Sequence, residues 1–196
     1  MPEAELETGD LKESLESILE QHDEEMAPHW LRPLSFTTAL IAVFAAVASL
    51  LSGAFSNDAI LEKNDAILAQ AKASDQWAFY QAKGIKGSLA ASQAEVLAAA
   101  NPTLSAKLKA DAERYKIEQD EIQKQAHELE AQVKEHNEKS DHLLERHHQF
   151  AFGVTLFQIA IAMGAIAALA RRQLLWWVGL AASLVGLAFS VRGLLL

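Results

Sequence analysis

The sequence predicts an all-α membrane protein, with three transmembrane helices and a long antiparallel coiled-coil hairpin between the first and the second. Three observations lead there. The stretches 33–55, 150–170 and 173–195 are nearly free of charge, whereas the rest of the chain carries almost every charged residue. The segment joining the first two stretches repeats its apolar residues at the spacing of a heptad. Asn101-Pro102 interrupts that segment close to its middle, because a proline pushes the preceding residue out of helical geometry.

The 196 residues are 51% hydrophobic and 22% charged, with a formal charge of −9. Once the apolar stretches are assigned to lipid, too little chain remains for the core of a conventional globular enzyme, so the sequence predicts a non-enzymatic protein. Nucleic acid is not an expected partner, since binding to phosphates rests on clustered Lys and Arg that are missing here. There are no cysteines, hence no disulfide, thiolate metal site or cysteine nucleophile.

Residues 1–32 form an acidic tail in which Asp10 and Glu13 resemble a capping pair, and Leu11, Leu15, Ile18 and Leu19 share one face of a short amphipathic helix. Its acidity disfavours anionic lipid, which leaves a partner groove, self-association or solvated disorder as its alternatives. The stretch 33–55 exceeds the short apolar region of a cleavable signal and is read as an uncleaved anchor. Each apolar stretch can cross a hydrocarbon layer of about 30 Å at about 1.5 Å per residue. Trp30, Phe150, Phe152, Trp176 and Trp177 lie at the ends of the stretches, where aromatic belts are expected.

Arg171 and Arg172 make up nearly all of the connection between the second and third spans and mark the cytoplasmic side, as does Arg32. The expected topology places the N-terminus in the cytoplasm and the hairpin in the periplasm of a bacterial inner membrane. Lys63, Lys139 and Arg146 pull the other way. The spans hold no Asp, Glu, Lys or His, which argues against a self-contained pump or proton-coupled carrier. They do carry small residues four apart: Ala45, Ser49 and Gly53; Ala160, Gly164 and Ala168; Ala182, Gly186 and Ser190. Such rows let helix backbones approach closely in lipid.

In the segment 56–149, Asn57-Asp58-Ala59-Ile60-Leu61 recurs seven residues later as Asn64-Asp65-Ala66-Ile67-Leu68. Continued at three-four spacing, the repeat marks a seam from Leu61, Asn64 and Leu68 through Asp75 to Ile85, Leu89 and Val96. After the break near 100–103, a second seam runs from Leu108 through Tyr115, Ile122 and Leu129 to Leu143, His147 and Phe150. Folding the chain back at the break sets Asp75 near Lys124 and His127, and Asn64 near Ser140, as polar layers that fix register. The many alanines predict a thin core and stability that depends on oligomerisation.

The run Asp75-Gln76-Trp77-Ala78-Phe79-Tyr80-Gln81-Ala82-Lys83 and the run Ala170-Arg171-Arg172-Gln173-Leu174-Leu175-Trp176-Trp177-Val178-Gly179-Leu180 carry a resemblance. With them, residues 35–195 resemble an uncharacterised bacterial membrane family catalogued as domain of unknown function 4337. The resemblance implies three spans with a long helical segment between the first two, and no activity. The acidic tail departs from the basic residues expected ahead of the first span.

Trp77, Phe79 and Tyr80 lie too far from the first span to form a membrane belt. They are either packed against Ile122, Ala126 and Leu129 or a neighbouring subunit, or they form a binding surface for another protein or lipid. Gly84 and Gly87 indicate close backbone contact, a kink or a hinge. His142, Glu145, His147 and His148 crowd the start of the second span, where Glu145 and His148 have the spacing of half a dimetal site. No second Glu-x-x-His pair matches them, so solvated interfacial histidines are the simpler reading and no cofactor is expected. The function expected overall is a self-associating membrane scaffold or assembly element. The alternatives are an accessory subunit of a transporter or respiratory complex docking through Trp77 and the tail, and a homo-oligomeric pore.

Overall fold

The computed structural model describes residues 12–18 and 28–196, which form four helices and no strand. Residues 12–18 are helical (α1), followed by α2 (Leu31–Leu97), α3 (Pro102–Ala170) and α4 (Gln173–Leu195). In α1, Leu15 and Ile18 are exposed; Asp10, Leu11 and Leu19, which the sequence placed on the same element, lie outside the described residues. α2, α3 and α4 each contain a stretch long and apolar enough to cross a membrane.

Local chemistry sets the boundaries. α3 opens with Asn101 as its cap: the Asn101 side-chain oxygen accepts from the Leu104 amide at 3.1 Å and its carbonyl from the Ser105 amide at 3.0 Å, while Pro102 occupies the first helical position. At the end of α3 the Arg172 amide donates to Ala167 (3.1 Å) and the Arg171 amide to Ala168 (3.4 Å), and Arg171 has φ 51°. This is a Schellman termination in which arginine takes the left-handed position usually held by glycine.

The chain divides into two compact units, one made of the chain through Ser49 with Phe150–Arg192, the other of Leu50–Gln149 with Gly193–Leu196. In the first, Trp30, Leu34 and Ala167 form a buried cluster with Leu31, Ala168, Leu175 and Trp176 packed on it. Trp30 stacks on Trp176 (ring centroids 6.4 Å), and the Trp176 indole donates to the Thr37 hydroxyl at 3.1 Å. Trp30 and Trp176 therefore pack inside this unit, whereas Trp177 and Phe152 are exposed. Phe44 stacks on the buried Phe157 at 6.4 Å.

The second unit pairs α2 with α3 in antiparallel fashion. Its cross-links step regularly: the Ser105 hydroxyl donates to the Ala94 carbonyl (2.7 Å), the Gln119 amide to the Tyr80 carbonyl (3.1 Å) and the Ser140 hydroxyl to the Ala59 carbonyl (3.0 Å). Short serine side chains reach a facing backbone because alanine separates the helices so little. On α3 the covered positions of this unit are those of the expected seam, with Ile122, Ala126 and Ser140 buried and Leu108, Tyr115, Leu129 and Leu143 half-buried.

On α2 the covered face differs from the expected one. The residues turned toward α3 are Ala59, Ala66, Ala69, Ala73, Ala90 and Ala94, two positions ahead of the expected stripe, and Leu61, Leu68, Ile85, Leu89 and Val96 are exposed. Small residues of α3 lie opposite this face, Ser140 at Ala59 and Ser105 at Ala94, so an alanine seam suits it where large side chains would not fit. The expected pairings shift with it. Ser140 meets Ala59 rather than the exposed Asn64, and His127 bonds Glu130 on its own helix (2.9 Å) while Asp75 is exposed.

Candidate interaction surface

Within the second unit, Trp77 leans across to α3. Its indole N–H donates to Glu130 Oε1 at 2.8 Å, and its ring meets Tyr80 (5.5 Å) and His127 (5.3 Å) edge-on. The indole hydrogen bond, followed by the His127 contact, holds the Glu130 carboxyl below its ordinary range. The structure thus brings Trp77 and Tyr80 to the helix pair through Glu130 and His127. Phe79 points away and is 51% exposed.

One turn further on, Lys83 faces α3 and bonds Glu118 at 2.5 Å, with its ammonium 5.2 Å from the Phe79 ring centre and 5.4 Å from that of Tyr115. The Arg114 guanidinium also lies 5.1 Å from the Tyr115 ring centre and 3.6 Å from Glu118. The Lys83 hydrogen bond, reinforced by the charges of Lys83, Arg114 and Lys86, lowers the Glu118 carboxyl. Gly84 admits the Gln119 amide to the place its own side chain would occupy, with Gln119 Nε2 2.6 Å from a Cβ built there. That is close backbone contact, one of the roles its sequence allowed.

Closer to residue 50, the Ser52 hydroxyl lies 3.0 Å from His147 Nδ1, and the Ser52 carbonyl 2.9 Å from the same nitrogen. Glu62 bonds His136 at 2.7 Å between half-buried side chains. His148 packs its ring on His147 at 5.4 Å, and the described residues contain no group of three His, Cys, Asp or Glu able to hold a metal ion around Glu145 and His148. Next to the turn, Ser92, Gln93, Val96, Leu97, Leu104 and Leu108 line an open apolar groove of about 480 Å³.

In the first unit, the small-residue rows are used between helices of the same chain. A side chain at Gly164 would meet Thr38 Oγ1 at 2.9 Å, and one at Gly186 would meet the Gly153 carbonyl oxygen at 3.0 Å and Phe157 at 3.2 Å. Gly53, by contrast, faces open space. Arg171 and Arg172 form the exposed turn before α4.

Residues 30–196 match the family model described as Domain of unknown function (DUF4337). The chain belongs to the DUF4337 family. Comparison with curated proteins and with solved structures returned no match. In this DUF4337 chain the sequence reading named Arg146 only as a charge opposing the expected orientation and missed its contacts: its guanidinium sits 4.1 Å from the Phe55 ring centre and donates to the Gly193 carbonyl at 3.1 Å. It also missed Lys83 as a cross-helix cation. An arginine or lysine in an otherwise apolar or aromatic register is the available signal, since guanidinium and ammonium groups settle on ring faces. Chemically, these DUF4337 side chains neutralise one another in pairs. They hold two helices together and leave apolar side chains facing outward.

Proposed function

We propose that the protein is a non-enzymatic integral membrane protein that self-associates through its spans and its coiled-coil hairpin, as a scaffold or assembly element. The observation that carries this reading is the alanine face of α2. Ala59, Ala66, Ala69, Ala73, Ala90 and Ala94 are the buried apolar residues that α2 contributes to the second unit. Each alanine removes little area from water, at about 25 cal/mol per Å² of apolar surface, so the helix pair gains part of its stability from neighbours. The spans support the membrane assignment. Only 11%, 28% and 17% of their most apolar 18-residue stretches are covered within the chain, which leaves wide apolar surface for lipid or other helices.

Native mass spectrometry of the full-length protein, gently extracted from its own membrane, tests the reading. One homo-oligomeric mass is expected. A monomer in both mild detergent and nanodiscs would overturn it. A second reading, an accessory subunit of a larger membrane complex, draws support from the outward Phe79 and the exposed Leu15 and Ile18 of α1. An unrelated chain co-purifying at fixed stoichiometry would favour that reading.

A further inference from the structure

We infer that the outward face of α2, from Leu61 to Val96, docks the same face of a second copy of this chain, the two α2 helices lying parallel and in register. The inference rests on the self-association proposed above and assigns it a surface and a geometry. Leu61, Leu68, Ile85, Leu89 and Val96 lie on one three-four stripe and are between 53% and 80% exposed in the folded chain. Large apolar side chains at heptad spacing are the pattern that packs knobs into holes against a matching helix. α2 thus carries two seams, an alanine seam spent on α3 and a leucine-rich seam left exposed by the described residues.

Three arguments select a second copy. The stripe covers 35 residue steps, about 53 Å at about 1.5 Å per residue, and at a helix width of about 10 Å offers about 500 Å² per copy. Two copies bury about 1,000 Å², the lower bound for a specific interface before any contact between spans is added. Charge points to the same side of the hairpin. Among the stripe positions Asp75 is the one charge, whereas the exposed surface of α3 carries the ion pairs Arg114–Asp111, Lys134–Glu138 and Lys139–Glu135, which marks the stripe rather than α3 as the face to be covered. Register supplies the third argument. Two copies anchored in one bilayer present the stripe at the same distance along α2, so residue i meets residue i, and the exposed Asn64 meets its own counterpart as a single polar layer. Asp75 is the one acidic position on the stripe and sets a like charge against itself, limiting how tightly the pair closes.

The absence of cysteine makes the test direct. Single variants Leu61→Cys, Leu68→Cys and Leu89→Cys are made in the full-length protein in its membrane, with exposed α3 positions Lys124→Cys and Glu128→Cys as controls. Under copper-phenanthroline, which takes the two electrons as two thiols join and lose their protons, the α2 variants are expected to form disulfide dimers and the controls are not. The double variant Leu68→Glu/Leu89→Glu changes only exposed positions, so it is expected to lose the oligomeric mass with helicity and thermal midpoint of the monomer unchanged. Asp75→Asn is expected to tighten association several-fold. Cross-linking at α3 equal to that at α2, or an oligomer that survives the double glutamate variant, would overturn this interface while leaving self-association standing. Monomer throughout, with no cross-link at any position, would overturn both.

Discussion

Trp77 ties α2 to α3 through its hydrogen bond to Glu130 and its ring contact with His127, it also packs edge-on against Tyr80 of its own helix, and all three contacts are lost on truncation. Trp77→Ala is expected to destabilise the helix pair by about 1–2 kcal/mol, below the cost at a fully buried aromatic because the side chain is only half-covered. A melt with an unchanged midpoint would mean that the ring serves a partner instead. The same contact has a pH signature. Glu130 is held below its ordinary range by the Trp77 hydrogen bond and by His127, so its contribution is complete above the unfolded carboxylate range, near pH 4.3, and is lost as pH falls through the lower folded value. The midpoint difference between the wild type and Glu130→Gln should therefore shrink on acidification; a difference that stays constant down to pH 3 would contradict it. The aromatic run marked this place in the sequence, but its partners could not be read there, since Glu130 and His127 are two of many charged residues along α3 and only the helix register selects them.

Between elements, distance decides which substitution is tolerated. At Gly164 the obstacle is the Thr38 hydroxyl, which can rotate away, whereas at Gly186 it is a backbone carbonyl that cannot. Gly186→Ala is expected to cost about 1–3 kcal/mol by overpacking and Gly164→Ala clearly less, as read by unfolding in detergent; the reverse order would refute this packing. The helix pair of the second unit reverses a more common intuition. Ala73→Leu, at a fully buried position, should destabilise by about 1–3 kcal/mol, because a completely covered site must be forced open to admit the larger side chain. Leu68→Ala, at an exposed one, should leave the monomer within about 0.5 kcal/mol. Equal or inverted effects would mean that the expected seam is the true one. These alanines also show where sequence reasoning stopped. The tandem repeat establishes a period of seven, but a period is unchanged when the face is rotated, and Ala59 and Leu61 recur equally well as Ala66 and Leu68. The expected seam followed Leu61 and Leu68 rather than Ala59 and Ala66. On α3, where Tyr115, Ile122 and Leu129 recur at the same spacing and are the covered residues, the expected face is the observed one.

At the scale of the whole molecule, helix type and the break at Asn101-Pro102 were legible because composition and proline act locally. A function was not, because among the described residues charged groups such as Lys83 and Glu118 or Glu62 and His136 pair with one another, and no group of three metal-ligating side chains forms. Orientation in a bilayer depends on the remaining cations. Arg171 takes a left-handed conformation that costs a non-glycine residue about 1–2 kcal/mol, and it does so at the end of α3, where a cation also complements the exposed carbonyls. Keeping arginine there, followed by Arg172, concentrates positive charge in one short turn, and short connections are those whose Lys and Arg set topology. Arg146, the strongest opposing cation, rests on Phe55 and the Gly193 carbonyl once the chain has folded. With a cysteine placed at the exposed Ser92, a membrane-impermeant maleimide added to intact cells should label the hairpin; placed at the exposed Gln173, beside the arginine pair, it should be labelled only after permeabilisation. If the arginine pair sets the orientation by its charge, replacing Arg171 and Arg172 together by Gln should then raise labelling of Gln173→Cys in intact cells. Labelling of Gln173→Cys before that change would place the arginine turn outside and reverse the orientation.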